Sequence, residues 1–379
     1  MKKIDSIPIL PVLMLTLCMS GICHPLFAQK KHDVMEEMAR SKKDSSKRST
    51  FNAYPYAYYT PETSVAFGAG GIFVFYTSKD ENLKPSKIGF GGMYTLSKQY
   101  RIGLNPKFYF NESKIYIDLP LSYGYAVDKF FGIGPDAEET GNEAYAKKYF
   151  TASMTLQIPP TLFSADRTGI IFDYDYTDIV EKRDNEYLLA DSVTGSKGGH
   201  SFGIGGDLIW DSRDNIFFPN SGGYQYFKVV LYPGVGDFTY SFLELDVRQF
   251  FSFKEDHVFG AQLYVASTTG DTPFYKMPGL GGQKNMRGYF SGRYRDNFLM
   301  MLQTEYRQYF WKRLGFVVFA GVGNVSSEMM SFSLNNVKYS GGAGLRFQFN
   351  QKEKINLRAD FGIGPDGNMG VYFGIEEAF

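Results

Sequence analysis

The stretch from Pro278 to Asn297, PGLGGQKNMRGYFSGRYRDN, holds the residues best suited to a specific interaction. Arg287 stands near its centre, with Gly281, Gly282 and Met286 before it and Gly288 and Tyr289 after it. Glycines let a backbone fold tightly, and a charge-assisted hydrogen bond from a guanidinium contributes about 1.5–3 kcal/mol. A loop of this length in a compact domain is usually functional or disordered. Arg287 is therefore either a residue that orders this loop or a plain surface cation.

Other reactive side chains form no catalytic or metal-binding pattern. Both cysteines, Cys18 and Cys23, lie in an N-terminal export signal, so the mature chain is predicted to lack thiol chemistry. The remaining histidines outside the signal are His32, His200 and His257, and the strand order given below puts the last two at opposite membrane faces. Neither a Gly-x-Ser-x-Gly elbow nor a phosphate-binding loop is present. We expect no enzyme activity, no cofactor and no metal site.

The N-terminus has the features of a secretory signal. Lys2 and Lys3 precede an apolar segment at 7–23, and Ala28 offers a small residue for cleavage. A membrane-spanning helix is the alternative, but prolines and a glycine interrupt a segment that would need about 20 apolar residues. We expect a signal peptide at 1–28, a charged linker at 29–52 and one further domain at 53–379.

The composition favours a membrane β-barrel. Aromatic residues make up 17% of the chain and glycines number 41, while the mean hydropathy of -0.25 alone would suit a soluble protein. After Ala28 no run of 18 apolar residues occurs, so no transmembrane helix is predicted. Interleaved apolar and polar residues fit a barrel with lipid outside and water inside. The net charge of zero argues against nucleic-acid binding.

Alternation of apolar and polar residues predicts sixteen strands. In 298–310, for example, Leu302 and Tyr306 share one face while Glu305 and Arg307 share the other. A soluble sandwich would bury the apolar faces, whereas a membrane barrel turns them to lipid. The predicted segments are 63–76, 87–96, 100–110, 113–125, 128–134, 145–157, 165–178, 200–211, 223–232, 239–252, 257–267, 298–310, 314–323, 337–349, 355–363 and 368–379.

Loop lengths favour the membrane barrel and set its orientation. Short turns follow the even-numbered segments and long loops follow several odd-numbered ones, with 212–222 as the exception. Outer-membrane barrels have short periplasmic turns and long extracellular loops. The 278–297 stretch is therefore expected on the extracellular side, between strands eleven and twelve. Sixteen antiparallel strands close into a barrel that leaves no edge.

Several motifs, taken in order, resemble one known group of barrels. The chain resembles the BamA/TamA family of outer-membrane assembly and translocation proteins, also called bacterial surface antigens. The matching pieces cover nearly all of 55–379. They are YTPETSVAFGAGG (59–71), WDSRDNIFFPNSGG (210–223), Leu280-Gly281-Gly282 with Arg287-Gly288-Tyr289, TEYRQYF (304–310), FVVFAGVGNV (316–325), YSGGAGLRF (339–347) and the terminal Phe379.

The resemblance implies a role for the glycine-rich loop. In the family this loop folds back into the barrel lumen, and its arginine pairs with acids on the wall. Carried over to this chain, Arg287 faces Glu305. Family members often have an aspartate on the next strand, where this chain has Gly321. The resemblance therefore implies either a weaker attachment of Arg287 or the recruitment of Glu244, Asp246 or Asp360 instead.

The two ends of the barrel carry further expected features. The seam between the first and last strands is expected to contain Gly68, Gly70, Gly370 and Gly374. Glycine weakens strand pairing, so these residues indicate either a seam that opens to lipid or room for neighbouring aromatics. By resemblance, Tyr372, Phe373 and Phe379 form a C-terminal signal through which the barrel assembly machine recognises this chain as a client.

One departure from the family bears on function. Its members carry periplasmic POTRA modules before the barrel, whereas only 29–50 is available here, so a periplasmic partner protein is expected to replace them. We expect an outer-membrane protein of a Gram-negative bacterium that acts, in contact with lipid, in outer-membrane biogenesis or protein or lipid transport. A passive porin-like channel is one alternative. A surface antigen or adhesion scaffold using loops such as 179–199 is the other.

Overall fold

The structure is a computed structural model that describes residues 49–60, 64–78, 83–159, 162–254, 257–350, 354–375 and 377–379. The predicted signal peptide and nearly all of the predicted linker lie outside these residues. Within these residues, sixteen antiparallel strands form the main sheet. They are β1 Thr50–Thr60, β2 Ser64–Phe75, β3 Ser86–Thr95, β4 Tyr100–Phe110, β5 in two pieces (Ile115–Asp118 and Leu121–Lys129), β6 Ala144–Ile158, β7 Arg167–Glu181, β8 Gly198–Asp211, β9 Gly222–Pro233, β10 Thr239–Lys254, β11 His257–Gly270, β12 Phe298–Trp311, β13 Leu314–Ser326, β14 Lys338–Asn350, β15 Ile355–Ile363 and β16 Met369–Ile375.

Each strand pairs with the next one along the chain, and β1 and β16 lie side by side, which brings the sheet round into a barrel. The alternation of side chains gives the wall two chemically different faces. On β12, Gln303, Glu305 and Arg307 are buried, whereas Leu302 and Phe310 are exposed on the outer face. The predicted barrel with a charged lumen and an apolar outer surface is confirmed.

The predicted number of strands is correct, but one strand was predicted as two and another strand was not predicted. The segments predicted at 113–125 and 128–134 are replaced by one strand, β5, which continues through the predicted division at 126–127 because Leu121–Lys129 pairs with β6 without a gap. Residues 130–134 are not in a strand. A strand not predicted, β1, begins at Thr50, inside the expected linker. Pro55 argues against a strand in the sequence, because a proline cannot donate a ladder hydrogen bond and is tolerated chiefly where one side of the strand has no ladder. β1 has such a side, which faces β16. The two errors cancel, so the glycine-rich loop still follows strand eleven.

The seam differs from every other strand junction. β1 pairs along its whole length with β2, and β16 pairs with β15 through seven residues. Between β1 and β16 no backbone ladder occurs in the described parts of the two strands, although they lie next to each other. The expectation that four glycines lie at this seam is wrong for two of them. Gly68 and Gly70 lie on the second strand, whereas Gly370 and Gly374 lie on the last.

The long loops gather at one end of the barrel and hold one another. The loop after β7 contains a short helix, α1 (Glu186–Leu189), and its cap residue Asn185 donates to the carbonyl oxygens of Phe130 and Glu143 in the loop after β5. Two 3₁₀ turns, Phe274–Lys276 and Met329–Ser331, lie in the loops after β11 and β13. Across the ranges described above, no helix has the length and apolar character needed to cross a membrane.

Candidate functional site

The loop between β11 and β12 is folded against the inner face of the barrel. Residues Gly279–Leu280 pair with Tyr294–Arg295 in a short ladder that closes the base of the loop. Beyond this base, the loop buries its apolar side chains against wall residues. The members of this cluster are Leu280, Met286, Tyr289 and Tyr294 from the loop and Leu299, Met301 and Val325 from β12 and β13. Burial of this area holds the loop in the lumen.

Arg287 is the most enclosed charged residue of the loop, with 1% of its surface exposed. Its Nη2 donates to Oε1 of Glu305 on β12, and its Nη1 lies 2.5 Å from Oδ2 of Asp360 on β15. The guanidinium carbon lies 3.6 Å from the ring centre of Phe319 on β13, which gives a cation–π contact. One loop residue therefore binds three strands of the wall, and the two carboxylates satisfy a charge that would otherwise be unpaired and buried.

The carboxylates that hold Arg287 also bind arginines of the wall. Arg307 Nε lies 2.9 Å from Glu305, and Arg346 Nη1 and Arg358 Nη1 lie 2.5 Å and 3.1 Å from Asp360. These groups form one charge-assisted network across β12, β14 and β15. The alternation pattern places each of these side chains in the lumen, but it does not indicate which acid meets which base.

Glycines allow the loop backbone to lie directly on the wall. Gly288 has φ +115°, and a Cβ there would come within 2.9 Å of the backbone of Ile363. A Cβ on Gly362 would lie 2.8 Å from the backbone nitrogen of Gly288. Because these contacts are between backbones, neither side could yield to a larger residue. Gly281 and Gly282 also have positive φ values, at the turn that begins the inward-folded segment.

The position of the missing family aspartate is filled by a loop side chain. A Cβ on Gly321 would lie 2.9 Å from Cγ of Met286, so the Met286 side chain occupies the space that a side chain at position 321 would fill. Asp360 of β15 lies against Arg287 as the second carboxylate. Of the acids expected as partners, Glu305 and Asp360 contact Arg287, whereas Asp246 pairs with Arg248 at 2.5 Å. The described contacts of Glu244 do not include Arg287.

The last strand is also attached to this loop. The backbone N–H of Gly288 donates to the hydroxyl of Tyr372 at 3.0 Å, and that hydroxyl donates to the carbonyl oxygen of Tyr289 at 3.1 Å. Gly370 leaves room for the Tyr372 ring, since a Cβ there would meet the hydroxyl. The hydroxyl of Tyr289 in turn donates to the carbonyl oxygen of Tyr339 on β14. The anchoring role of Tyr372 has no signal in the sequence beyond its lumen-facing position.

The residues expected to form the C-terminal signal lie on different faces. Tyr372 is buried in the lumen, and Phe373 alternates to the outer side of β16. Phe379 lies inside the barrel, where its ring stacks on Phe250 of β10. At the other strand end, Gly68 and Gly70 make room for Tyr56 of β1, whose ring carbon Cζ would lie 2.5 Å from a Cβ on Gly68.

Lys284 brings a further cation to the inner end of the loop. Burial, together with nearby Arg248 and Arg358, lowers the pKa of the Lys284 amino group to about 8. Its backbone carbonyl accepts a hydrogen bond from Gln303 of β12, which fixes the segment next to Arg287. In the residues that the structure describes, no group of three or more His, Cys, Asp or Glu side chains is placed to hold a metal ion.

Comparisons with known proteins found one matching family and several similar structures. A family model described as the Omp85 superfamily domain matches residues 67–379. No curated protein matches the chain in sequence. The chain is similar in structure to BamA from Haemophilus ducreyi lacking POTRA domains 1–3, at 14% identity and a TM-score of 0.62, over 86% of this chain and 70% of that one.

Two further solved structures are similar. CdiB from Acinetobacter baumannii matches at 13% identity and a TM-score of 0.54, over 87% of this chain and 60% of that chain. CdiB from Escherichia coli matches at 12% identity and a TM-score of 0.55, over 86% of this chain and 62% of that chain. The chain spans less than two thirds of the length of either CdiB. At these identities the likeness shows a shared fold.

Proposed function

Because the chain belongs to the Omp85 superfamily, we propose that this outer-membrane barrel assembles or translocates proteins or lipids and does so through the seam between β1 and β16. The single observation that carries the proposal is the absence of a backbone ladder between those two strands in the part of the chain that the structure describes. A junction without ladder hydrogen bonds separates at lower free energy than a junction held by a full ladder. An opened seam offers unpaired strand edges to an incoming chain.

The loop gives the seam a controlled resting state. Tyr372 connects β16 to Gly288 and Tyr289, and Arg287 connects the same loop to Glu305 and Asp360. Movement of β16 away from β1 therefore has to move or release the loop. A periplasmic partner protein is proposed to deliver the cargo, and the barrel assembly machine is proposed to insert this chain as a client. The barrel itself is proposed to have no enzymatic activity.

The passive-channel alternative is less well supported. The inward-folded loop fills part of the lumen, and Phe217 and Phe218 of the periplasmic turn at 212–221 are buried rather than solvent-exposed. The ring of Phe218 contacts Tyr309 of β12 at 5.5 Å between centroids. A porin-like barrel keeps an aqueous channel between its two mouths, and here both mouths are narrowed by the protein's own segments.

A reversible disulfide across the seam tests the proposal. Ala53→Cys is combined in turn with Met369→Cys, Val371→Cys or Phe373→Cys, and the pair that forms a disulfide is kept. We expect oxidised cells to lose assembly or transport of outer-membrane cargo and to regain it on reduction. The matched control joins two strands away from the seam, by Ala152→Cys with Tyr174→Cys, which face each other in the β6–β7 ladder. Full function in cells with an oxidised seam would refute the proposal.

A further inference from the structure

Residues 377–379 lie inside the periplasmic mouth of the barrel. Two per cent of the Glu377 side chain is exposed, and its Oε2 lies 2.7 Å from Nε of Arg346 on β14. Its Oε1 accepts a hydrogen bond from Nδ2 of Asn356 on β15 at 2.7 Å. A carboxylate held by an arginine and an amide inside a barrel is a strong, directional contact.

Phe379 occupies a second part of the same site. Its ring stacks on Phe250 with 6.3 Å between centroids, and its edge lies next to Gly260, which has no side chain to fill that space. The guanidinium carbon of Arg307 lies 5.4 Å from the ring centre of Phe379, and its Nη2 donates to the backbone oxygen of Phe379 at 2.9 Å. The same guanidinium lies 5.4 Å from the ring centre of Phe250, so one cation contacts both stacked rings.

The walls of this site are held in place by contacts that do not involve residues 377–379. Glu305 holds Arg307, and Asp360 holds Arg346. The Phe218 ring lies 5.8 Å from the guanidinium of Arg307 on a further side. A pocket whose walls are fixed by other partners is preorganised, so a ligand that enters it does not have to order them.

The site has more guanidinium groups than carboxylates once Glu377 is removed. The ion pairs that join it hold Arg287, Arg307, Arg346 and Arg358 against Glu305, Asp360 and Glu377. If residues 377–379 leave, this network keeps four guanidinium groups and two carboxylates. Buried cations without matching anions are unfavourable, so the vacated site favours another carboxylate in the place of Glu377.

We propose that this site, the tail pocket formed by Phe250, Gly260, Arg307, Arg346 and Asn356, is an exchangeable binding site for a peptide with an acidic residue two positions before a phenylalanine. The chain's own residues 377–379 occupy the pocket at rest. A segment of the same chemistry from another chain binds when they leave. Use of the pocket for cargo rests on the proposed function, whereas peptide binding itself does not.

The resident segment competes strongly because it is tethered. A short tether gives an effective concentration in the millimolar range. A peptide at micromolar concentration should therefore bind the pocket after the resident segment is removed and should bind the full chain much more weakly. This difference separates occupancy of the pocket from nonspecific adsorption to the apolar outer surface, which both forms of the barrel share.

The test uses a fluorescein-labelled synthetic peptide of residues 370–379 and purified barrel lacking residues 376–379, both in detergent. We expect saturable binding by anisotropy, with affinity about tenfold or more lower for a peptide carrying Glu377→Gln and Phe379→Ala. The full chain at the same concentration should show no saturable binding. Failure of the truncated barrel to bind, or equal binding of the two peptides, would overturn the proposal.

A second measurement keeps the proposal testable if the truncated barrel does not fold. Ala378→Cys is introduced into the full chain, with Cys18 and Cys23 changed to serine, and maleimide labelling is timed. We expect slow labelling, accelerated by Arg346→Gln and by millimolar peptide. The control Asn335→Cys, on an exposed loop, should label rapidly under all conditions. Labelling at position 378 as fast as at 335, or unaffected by the peptide, would contradict an exchangeable pocket. Neither measurement depends on the seam.

Discussion

Replacing Arg287 by alanine is expected to release the glycine-rich loop from the barrel wall. The substitution leaves Glu305 and Asp360 with wall arginines but removes the cation that connects them to the loop. Because both carboxylates stay paired, the cost is the loss of the charge-assisted hydrogen bonds from Arg287, about 1.5–3 kcal/mol. Because 1.4 kcal/mol is tenfold in an equilibrium constant, loop opening should become more frequent by about tenfold or more. Limited trypsin digestion at Lys284 and Arg293, on intact cells, measures this change.

The control for this prediction is Arg183→Ala. Arg183 also lies in an extracellular loop and pairs with an acid, Glu181, but 41% of its side chain is exposed. Exposed pairs contribute about 0–1 kcal/mol, so digestion of the Arg183→Ala variant should match that of the unaltered chain. If Arg287→Ala were equally resistant, the apolar contacts of Met286 and Tyr289 alone would hold the loop, and the ion pair would have no role in ordering it.

Removal of the loop is expected to convert the barrel into an open pore. The short ladder between Gly279–Leu280 and Tyr294–Arg295 allows a clean deletion, in which residues 281–293 are replaced by Asn-Gly as a two-residue turn. Sixteen strands enclose a lumen wide enough for an aqueous channel. In planar bilayers, the deletion variant should show discrete steps several-fold larger than any from the unaltered chain. Because the periplasmic turn and residues 377–379 remain, removing 376–379 as well should enlarge the steps further.

The matched control removes residues 328–335 from the loop after β13. Met329, Met330 and Leu334 of that loop are exposed, so its shortening should leave conductance unchanged. Large, regular steps from the unaltered chain would instead show that the loop does not obstruct the lumen, and the passive channel would become the better account of the protein.

Much of the barrel could be predicted because alternation is a local property. The lumen-facing set Gln303, Glu305 and Arg307 on β12 needs only a period of two and a lipid environment. β1 was missed because Pro55 interrupts its pattern, and the effect of a proline depends on whether its neighbours need a backbone donor. β5 was divided at 126–127, where its pairing with β6 is in fact continuous. Neither the need for a donor nor the pairing with a neighbouring strand can be read from the local pattern.

The candidate site could be predicted only in part. Arg287 and Glu305 were indicated by resemblance to a family, whereas the choice of Asp360 over Glu244 and Asp246 depends on where the loop lies across the lumen. That position is set by the contact of Gly288 with Gly362 and by Met286 beside Gly321. The position of Phe379 inside the barrel also depends on distant residues, because it is set by packing on Phe250. The local sequence does not distinguish such a ring from a terminal aromatic that faces lipid.

Photocrosslinking from the seam in living cells tests the proposed function most directly. A photoreactive amino acid is placed at Ala53 of β1 or Val371 of β16, both exposed on the outer face. The same probe at Ile170 and Phe202, exposed positions on β7 and β8, gives the control. We expect crosslinks to newly exported polypeptide or lipid cargo at 53 and 371, above the background of bulk membrane lipid seen at 170 and 202. The same products at all four positions would contradict passage through the seam.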